Sequence, residues 1–115
     1  MTASRPFSDS ARQYIAAYNE PDRAKTSELL SLSLSPGGRY ISENQELSFD
    51  GILEMASGFH EVAEMRIEGE IRVHGRYATF RWSFTEFDTG EITTGIDFCE
   101  FAEDGLIDKV VVFFD

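Results

Sequence analysis

The hydrophobic period of the chain changes about halfway along, from a helical spacing in the first half to strict alternation in the second. One apolar stripe with helical spacing predicts a first helix that carries Phe7, Ala11, Tyr14, Ile15 and Tyr18. Pro21 ends this helix, because the residue before a proline is disfavoured in the α conformation. Asp22 is then placed to cap a second helix.

The segment that follows predicts two short strands and a third helix. Pro36-Gly37-Gly38 indicates a break in regular structure. A strand is expected from Arg39 to Ser42, and another near Glu46. Asp50 is expected to cap the third helix. The buried side of that helix is predicted to consist of Ile52, Leu53, Met55, Ala56 and Phe59.

From Val62 onward, apolar and polar residues alternate as they do in half-buried β-strands. Three turn signals divide this half into strands: His74-Gly75-Arg76, Asp88-Thr89-Gly90 and Glu103-Asp104-Gly105. The last two strands are expected at Glu91 to Phe101 and at Leu106 to Phe114. Helices followed by a meander of antiparallel strands predict a single α+β domain over residues 1–115.

The last two strands are apolar on both faces, unlike an antiparallel strand with one solvated face. The first of them carries Ile92, Ile96 and Phe98 on one face, and Cys99 and Phe101 on the other. One face must pack on the helices, and a second copy of the chain is the simplest cover for the other face. A homodimer through the sheet is therefore expected, although a strand that merely contains many β-forming residues is the alternative.

The charge balance excludes several classes of partner. The chain has 10 basic and 21 acidic residues, which give a net charge of −11. It therefore lacks the basic surface that binds nucleic acid, and anionic membranes would repel it. No apolar run approaches the roughly 20 residues of a membrane-spanning helix. The single cysteine, Cys99, cannot form an internal disulfide and suits a reducing compartment, so a cytoplasmic location is expected.

One acidic residue, Asp97, lies in the middle of a strongly apolar strand. A carboxyl buried there must be paired, hydrogen-bonded or neutral, because a bare buried charge is costly. A two-residue loop at Thr89-Gly90 would place Trp82 opposite Asp97, within a cluster of aromatic rings. A three-residue loop would place Arg81 opposite it instead, as a cross-strand salt bridge. Turn chemistry leaves both registers open.

The following hairpin is clearer, because Asp104-Gly105 is a strong signal for a two-residue turn. That turn places Val112 opposite Asp97, with Val110 and Phe114 on the same face. If this face is the inner one, burial would raise the pKa of the Asp97 carboxyl. Such a group could donate a hydrogen bond to an oxyanion or transfer a proton.

Four segments of the chain match a known family in their order and spacing. They are Gln13 to Asn19 with Asp22, Gly95 to Phe98, Asp104 to Ile107, and Phe113 to Asp115. On these segments the chain resembles the SnoaL-like branch of the nuclear transport factor 2-like superfamily and, more distantly, the ketosteroid isomerases. The resemblance implies a curved antiparallel sheet wrapped around N-terminal helices into a cone-shaped barrel, a cystatin-like fold. It also implies a hydrophobic pocket at the open end of the cone and a homodimer through the convex face of the sheet.

The resemblance implies roles for residues at matching positions. Tyr14 resembles the first-helix tyrosine that donates to the substrate oxyanion in ketosteroid isomerases. Asp97 resembles the strand aspartate that acts beside it and the acid/base aspartate of SnoaL-type cyclases, which favours the inward register. The general base of the isomerases is a carboxylate on the first strand. The corresponding position in this chain is Ser42, with Glu43 and Glu46 nearby. This departure argues against steroid isomerisation by that mechanism.

Two functional hypotheses follow. In the first, the chain is a small cofactor-independent isomerase, cyclase or dehydratase that acts on a small apolar carbonyl compound, with Asp97 and Tyr14 as catalytic residues. In the second, it is a ligand-binding or dimerisation module without turnover. The enzyme would use a pocket lined by Tyr18, Tyr40, Phe59, Phe80, Trp82, Phe84, Val112 and Phe114, whereas a filled interior would favour the module. The chain has only two histidines, His60 and His74, so a histidine-based metal site is not expected.

Overall fold

A computed structural model describes residues 6–115, so the predicted domain of residues 1–115 begins five residues before the described part. The helices are α1 (Phe7–Asn19), α2 (Arg23–Ser33) and α3 (Phe49–Phe59). The strands are β1 (Leu34–Ile41), β2 (Glu46–Leu47), β3 (Ala63–His74), β4 (Tyr77–Glu86), β5 (Ile92–Phe101) and β6 (Ile107–Phe114). The order of helices and strands agrees with the predicted α+β class.

Two of the three predicted helix boundaries are confirmed. Helix α1 ends at Asn19, and Glu20, the residue before Pro21, has an extended backbone. The Asp22 side chain caps α2 by accepting hydrogen bonds from the Ala24 and Lys25 backbone N–H groups at 2.9 Å and 3.4 Å.

The predicted cap of α3 is wrong. The N-cap is Ser48, whose backbone is extended and whose carbonyl accepts the first helical bond, from the N–H of Ile52 at 3.0 Å. Asp50 is the second residue of the helix and lies in its first turn, near the positive end of the helix dipole.

The predicted break at Pro36-Gly37-Gly38 is also wrong, because β1 continues through it. The parallel ladder with β6 pairs Leu34 with Ile107 and then Arg39 with Lys109, so three extra residues bulge out of β1. A proline is tolerated in such a bulge, where no ladder bond is required of it. Glycine avoids crowding at position 38, because a Cβ atom there would lie 3.0 Å from the Ser35 carbonyl oxygen and 3.1 Å from that of Ile107.

The six strands form one sheet in the order β2-β1-β6-β5-β4-β3. The β1–β6 pair is parallel and the others are antiparallel. Strand β3 bulges between Glu68 and Arg72, and this bulge contains Gly69, which has a φ of 76°. Bulges of this kind bend a strand and increase its twist. The curved sheet is confirmed, but within residues 6–115 its edge strands do not pair with each other, so the predicted closed barrel is wrong.

The helices pack against the inner face of the sheet and enclose the core. Fully buried side chains come from every layer: Leu30 of α2, Leu34 of β1, Ile52 of α3, Phe101 of β5, and Ile107 and Val110 of β6. Burial of each such side chain stabilises the fold by about 1.5–3 kcal/mol. In the part of the chain that the structure describes, no helix has the length and apolar character needed to cross a membrane.

Candidate functional site

The register of β4 and β5 decides which way Asp97 faces, and it is neither of the two predicted ones. Phe80 lies opposite Asp97, and Trp82 lies opposite Gly95. The loop is longer than expected: four residues, Phe87 to Gly90, separate Glu86 from Glu91, and the Glu86 N–H donates to the Glu91 carbonyl at 2.9 Å. The register therefore differs by two residues from the one that a two-residue loop would produce.

A shift of two residues leaves every side chain on its original face of the sheet, because side chains alternate with a period of two. Asp97 therefore shares the inner face with Phe80 and Trp82, as the resemblance implied. The alternative salt bridge is wrong, since Arg81 points outward and contacts the exposed carboxylate of Asp115 at 3.3 Å.

The predicted pairing of Asp97 with Val112 is confirmed, although by a different route. The β5–β6 loop has three residues, and the Ala102 N–H donates to the Leu106 carbonyl across it at 2.8 Å. Phe101 pairs with Ile107 and Glu100 pairs with Lys109, so Asp108 of β6 is an extra residue without a partner in the ladder. This bulge returns the ladder to the register that a two-residue turn would have produced.

The Asp97 carboxyl is almost completely buried, with 3% of the residue exposed. Its Oδ1 accepts a hydrogen bond from the Trp82 indole Nε1–H at 2.8 Å. No other donor within residues 6–115 reaches this carboxyl, so Oδ2 has no hydrogen-bond donor among them. Burial raises the pKa of Asp97 to about 7, and the hydrogen bond from Trp82 opposes that rise.

Asp97 borders a cavity of about 230 Å³ between the sheet and the helices. The cavity is lined by Tyr14, Ile15, Tyr18, Tyr40, Gln45, Met55, Phe59, Met65, Trp82, Phe84, Asp97, Val112 and Phe114. Of the ten residues predicted for the site, nine lie on it. The exception is Phe80, which is directly opposite Asp97 but packs into the core and does not border the cavity.

The aromatic walls contact one another both edge to face and stacked. The Phe59 ring is perpendicular to those of Tyr18 and Phe84, with centroids 5.5 Å and 5.2 Å away. Trp82 stacks on Phe84 at 5.9 Å and meets Phe114 edge-on at 5.4 Å. Since Phe114 is 55% exposed, it forms the rim of the cavity.

The Tyr14 and Tyr18 hydroxyl groups form a hydrogen-bonded pair, with 2.6 Å between their oxygens. Burial raises the pKa of both tyrosines well above 10.0, and the nearby charge of Asp97 contributes. Both are therefore neutral donors at ordinary pH. The role of Tyr18 as the partner of Tyr14 was not predicted, although residues four apart on a helix are neighbours on its surface.

Ser42, the position that the resemblance aligns with the isomerase base, does not line the cavity, although its side chain hydrogen-bonds that of Tyr40, which does. Ser42 follows β1 and bonds through its backbone N–H to the Gln45 carbonyl at 2.9 Å. Glu46 forms an ion pair with Arg39 on the surface. Asp97 is thus the only carboxyl group that lines the cavity within residues 6–115. The described chain also contains no group of three or more potential metal ligands.

The sequence matches no protein-family model and no curated protein. A proposed isomerase of the SnoaL-like family from Agrobacterium tumefaciens has a similar structure, with a TM-score of 0.80 and 25% sequence identity, over 92% of this chain and 94% of the other. A proposed ketosteroid isomerase from Kribbella flavida matches with a TM-score of 0.72 and 19% identity, over 92% of this chain and 75% of the other. An NTF2-like protein of unknown function from an Exiguobacterium species matches with a TM-score of 0.70 and 18% identity, over 92% and 98%. These similarities confirm the resemblance to the SnoaL-like and NTF2-like proteins.

Proposed function

We propose that this chain is a cofactor-independent acid/base enzyme of the SnoaL-like type, which isomerises, cyclises or dehydrates a small apolar carbonyl compound. One observation carries the proposal: the buried Asp97 carboxyl borders the cavity, with one oxygen held by Trp82 and the other without a donor among the described residues. Proton transfer to or from a bound carbonyl compound requires an acid placed in this way.

The chemistry follows from the two forms of Asp97. With a pKa of about 7, the group exists both as carboxylate and as acid near neutral pH. The carboxylate takes a proton from the carbon next to the substrate carbonyl, and the C–H electron pair becomes the C=C bond of an enolate. The Tyr14–Tyr18 pair donates to the enolate oxygen as its negative charge develops.

Protonated Asp97 then completes the reaction by returning its proton. Delivery to a different carbon is an isomerisation, and delivery to a departing hydroxyl group is a dehydration that releases water. If the enolate carbon instead attacks a second carbonyl group, the new alkoxide takes the proton, and the result is an aldol-type cyclisation. In every case Asp97 is regenerated as the carboxylate.

The cavity favours a small substrate that is not an anion. Its volume of about 230 Å³ is below the roughly 300–1,000 Å³ typical of sites for drug-sized ligands. No lysine or arginine is among the described residues that line it. An anion would also be repelled by the net charge of −11.

Hydrogen exchange in D₂O tests this proposal without knowledge of the product. Small neutral ketones and enones are incubated with the protein, and loss of the proton signal next to the carbonyl is followed by NMR. We expect Asp97→Asn to slow exchange by about 100-fold or more. The matched control Asp88→Asn removes an exposed carboxylate of the β4–β5 loop and should retain full activity. Equal exchange rates for Asp97→Asn and the unmodified protein would contradict the proposal.

A binding module without turnover is the second candidate. It is favoured by the absence of a second carboxyl among the described residues of the cavity. A mechanism that needs one carboxyl as the acid and another as the base would lack one of the two groups. Such a protein would show an increased melting temperature with a small neutral ligand but no exchange of its hydrogens. The two assays on the same compounds therefore separate the candidates.

We also propose that a second copy of the chain covers the outer face of the sheet. The pairs Ile96–Phe113 and Phe98–Val111 place four apolar side chains together there, and Phe113 is 58% exposed. Sedimentation equilibrium should show a dimer that Phe113→Ser shifts toward monomer. The control Phe87→Ser, at an exposed position in the β4–β5 loop, should leave the dimer intact. A monomer for the unmodified chain would refute this proposal.

We further propose that the protein is cytoplasmic and binds neither nucleic acid nor membranes. The excess of acidic residues supports a protein without nucleic-acid or membrane partners. The single cysteine, Cys99, cannot form an internal disulfide, which supports the cytoplasm as its location.

A further inference from the structure

Gly95 lies directly opposite Trp82 in the β4–β5 ladder, two residues before Asp97. A Cβ atom built on Gly95 would lie 2.3 Å from Cζ2 and 2.8 Å from Cη2 of the Trp82 indole, and 2.4 Å from the Phe113 carbonyl oxygen. Such distances are too short for any real Cβ atom. Gly95 does not have a positive φ, so the requirement for glycine at this position is one of space and not of backbone conformation.

The indole occupies the space that a side chain at position 95 would need. It lies against the β5 backbone there, and from this position its Nε1–H reaches Oδ1 of Asp97 at 2.8 Å. On its other sides it is held by the stacked ring of Phe84 and the perpendicular ring of Phe114. The indole also lines the cavity, so open space lies beside it into which it could be displaced from β5.

We infer that Gly95 is a positioning residue for Asp97: its missing side chain lets the Trp82 indole lie against β5, hold Oδ1, and leave Oδ2 to the cavity. Any larger residue would push the indole off the strand and break its hydrogen bond to the carboxyl. The catalytic use of this arrangement rests on the proposed function, but the arrangement itself does not. Its geometry can be tested without a substrate, so a failed test here is distinguishable from a failed search for turnover.

NMR measures the arrangement directly, because Trp82 is the only tryptophan and its indole N–H resonance needs no assignment. In the unmodified protein we expect this resonance to titrate together with the Asp97 carboxyl carbon. In Gly95→Ala the indole resonance should lose its pH dependence. The carboxyl midpoint should rise by about one pH unit, the effect of losing one hydrogen bond to a charged group. Gly58→Ala is the matched control, because a Cβ atom on Gly58 meets nothing within 4 Å.

Trp82→Phe separates the indole from the second close contact, the Phe113 carbonyl. It keeps Gly95 but removes Cζ2, Cη2 and the N–H group, so the carboxyl midpoint should rise as it does in Gly95→Ala. Urea unfolding of the two single variants and the double variant then measures their coupling. We expect Gly95→Ala to destabilise the Trp82→Phe protein much less than the unmodified one.

Two results would overturn the inference. The first is a folded Gly95→Ala protein in which the indole resonance and the carboxyl midpoint are unchanged. The second is an equal loss of stability when Gly95→Ala is made in the unmodified protein and in Trp82→Phe, including the case in which neither variant folds. The obstacle would then be the Phe113 carbonyl and not the indole.

Discussion

The Asp97 carboxyl should make the folded chain progressively less stable as the pH rises from about 4 to about 7. Burial raises its pKa from 3.8 to about 7 in the folded state. Below pH 4 the group is protonated in both states and has no effect. Between the two pKa values the unfolded chain ionises while the folded chain does not, so the unfolded state is favoured. The free energy of unfolding should therefore fall by about 1.4 kcal/mol per pH unit, about 4 kcal/mol in total, with no further loss above pH 7.

Urea unfolding of the unmodified protein and of Asp97→Asn, measured from about pH 4 to about pH 8, isolates this effect. The asparagine cannot ionise, and its carbonyl oxygen can still accept the hydrogen bond from Trp82. Exposed acids titrate in the same way in both proteins, so they cancel in the difference. We expect Asp97→Asn to gain about 4 kcal/mol relative to the unmodified protein across this range. Asp88→Asn, a substitution at an exposed position of the β4–β5 loop, is the matched control.

A constant difference between Asp97→Asn and the unmodified protein would refute the reasoning. It would mean that the folded state ionises Asp97 as readily as the unfolded state does. The acid form would then be scarce at neutral pH, and the proposed proton return from Asp97 would lose its physical basis. A direct titration of the Asp97 carboxyl carbon by NMR, with a midpoint near its ordinary value, would lead to the same conclusion.

Three further changes have expected outcomes. Tyr18→Phe removes one hydroxyl of the tyrosine pair and should lower the exchange rate of an identified substrate by about 100-fold while leaving the midpoint of the pH–rate profile in place. Asp22→Ala removes the cap of α2 and should cost about 1 kcal/mol in urea unfolding, whereas Glu28→Ala on the exposed side of α2 should cost little. Leu30→Ala opens a cavity at a fully buried position and should cost about 2–5 kcal/mol; Leu32→Ala, which is 41% exposed, should cost far less.

The fold and the function rest on different kinds of information. The structural neighbours share the arrangement of helices and curved sheet at sequence identities of 25% or less. This arrangement positions a cavity but does not determine its chemistry, because one fold can host unrelated functions. The proposed activity therefore depends on the Asp97 carboxyl, its bond to Trp82 and the paired hydroxyls of Tyr14 and Tyr18.

The inward direction of Asp97 could be predicted only in part from the sequence. The alternation along β4 and β5 determined which residues share a face, but the loop chemistry at Asp88-Thr89-Gly90 did not determine the pairing. The real loop has four residues, and its register kept the predicted face only because the shift was even. A loop with one residue fewer would have turned Asp97 toward Arg81.

The sequence by itself determined the features that depend on neighbours along the chain. The period of apolar residues set the type of each element, and Pro21 and Asp22 set the end of α1 and the start of α2. These signals act within a few residues, so no distant contact is needed to read them.

Only the tertiary structure decided the features that depend on distant segments. Pairing with β6 on both sides of Pro36-Gly37-Gly38 made these residues a bulge within β1, and the Asp108 bulge restored the pairing of Asp97 with Val112. Packing withdrew Phe80 into the core and left its neighbour on the same face, Trp82, to bond the carboxyl. Such outcomes follow from the combined energy of whole ladders and of the side chains packed across them, which no local stretch of residues contains.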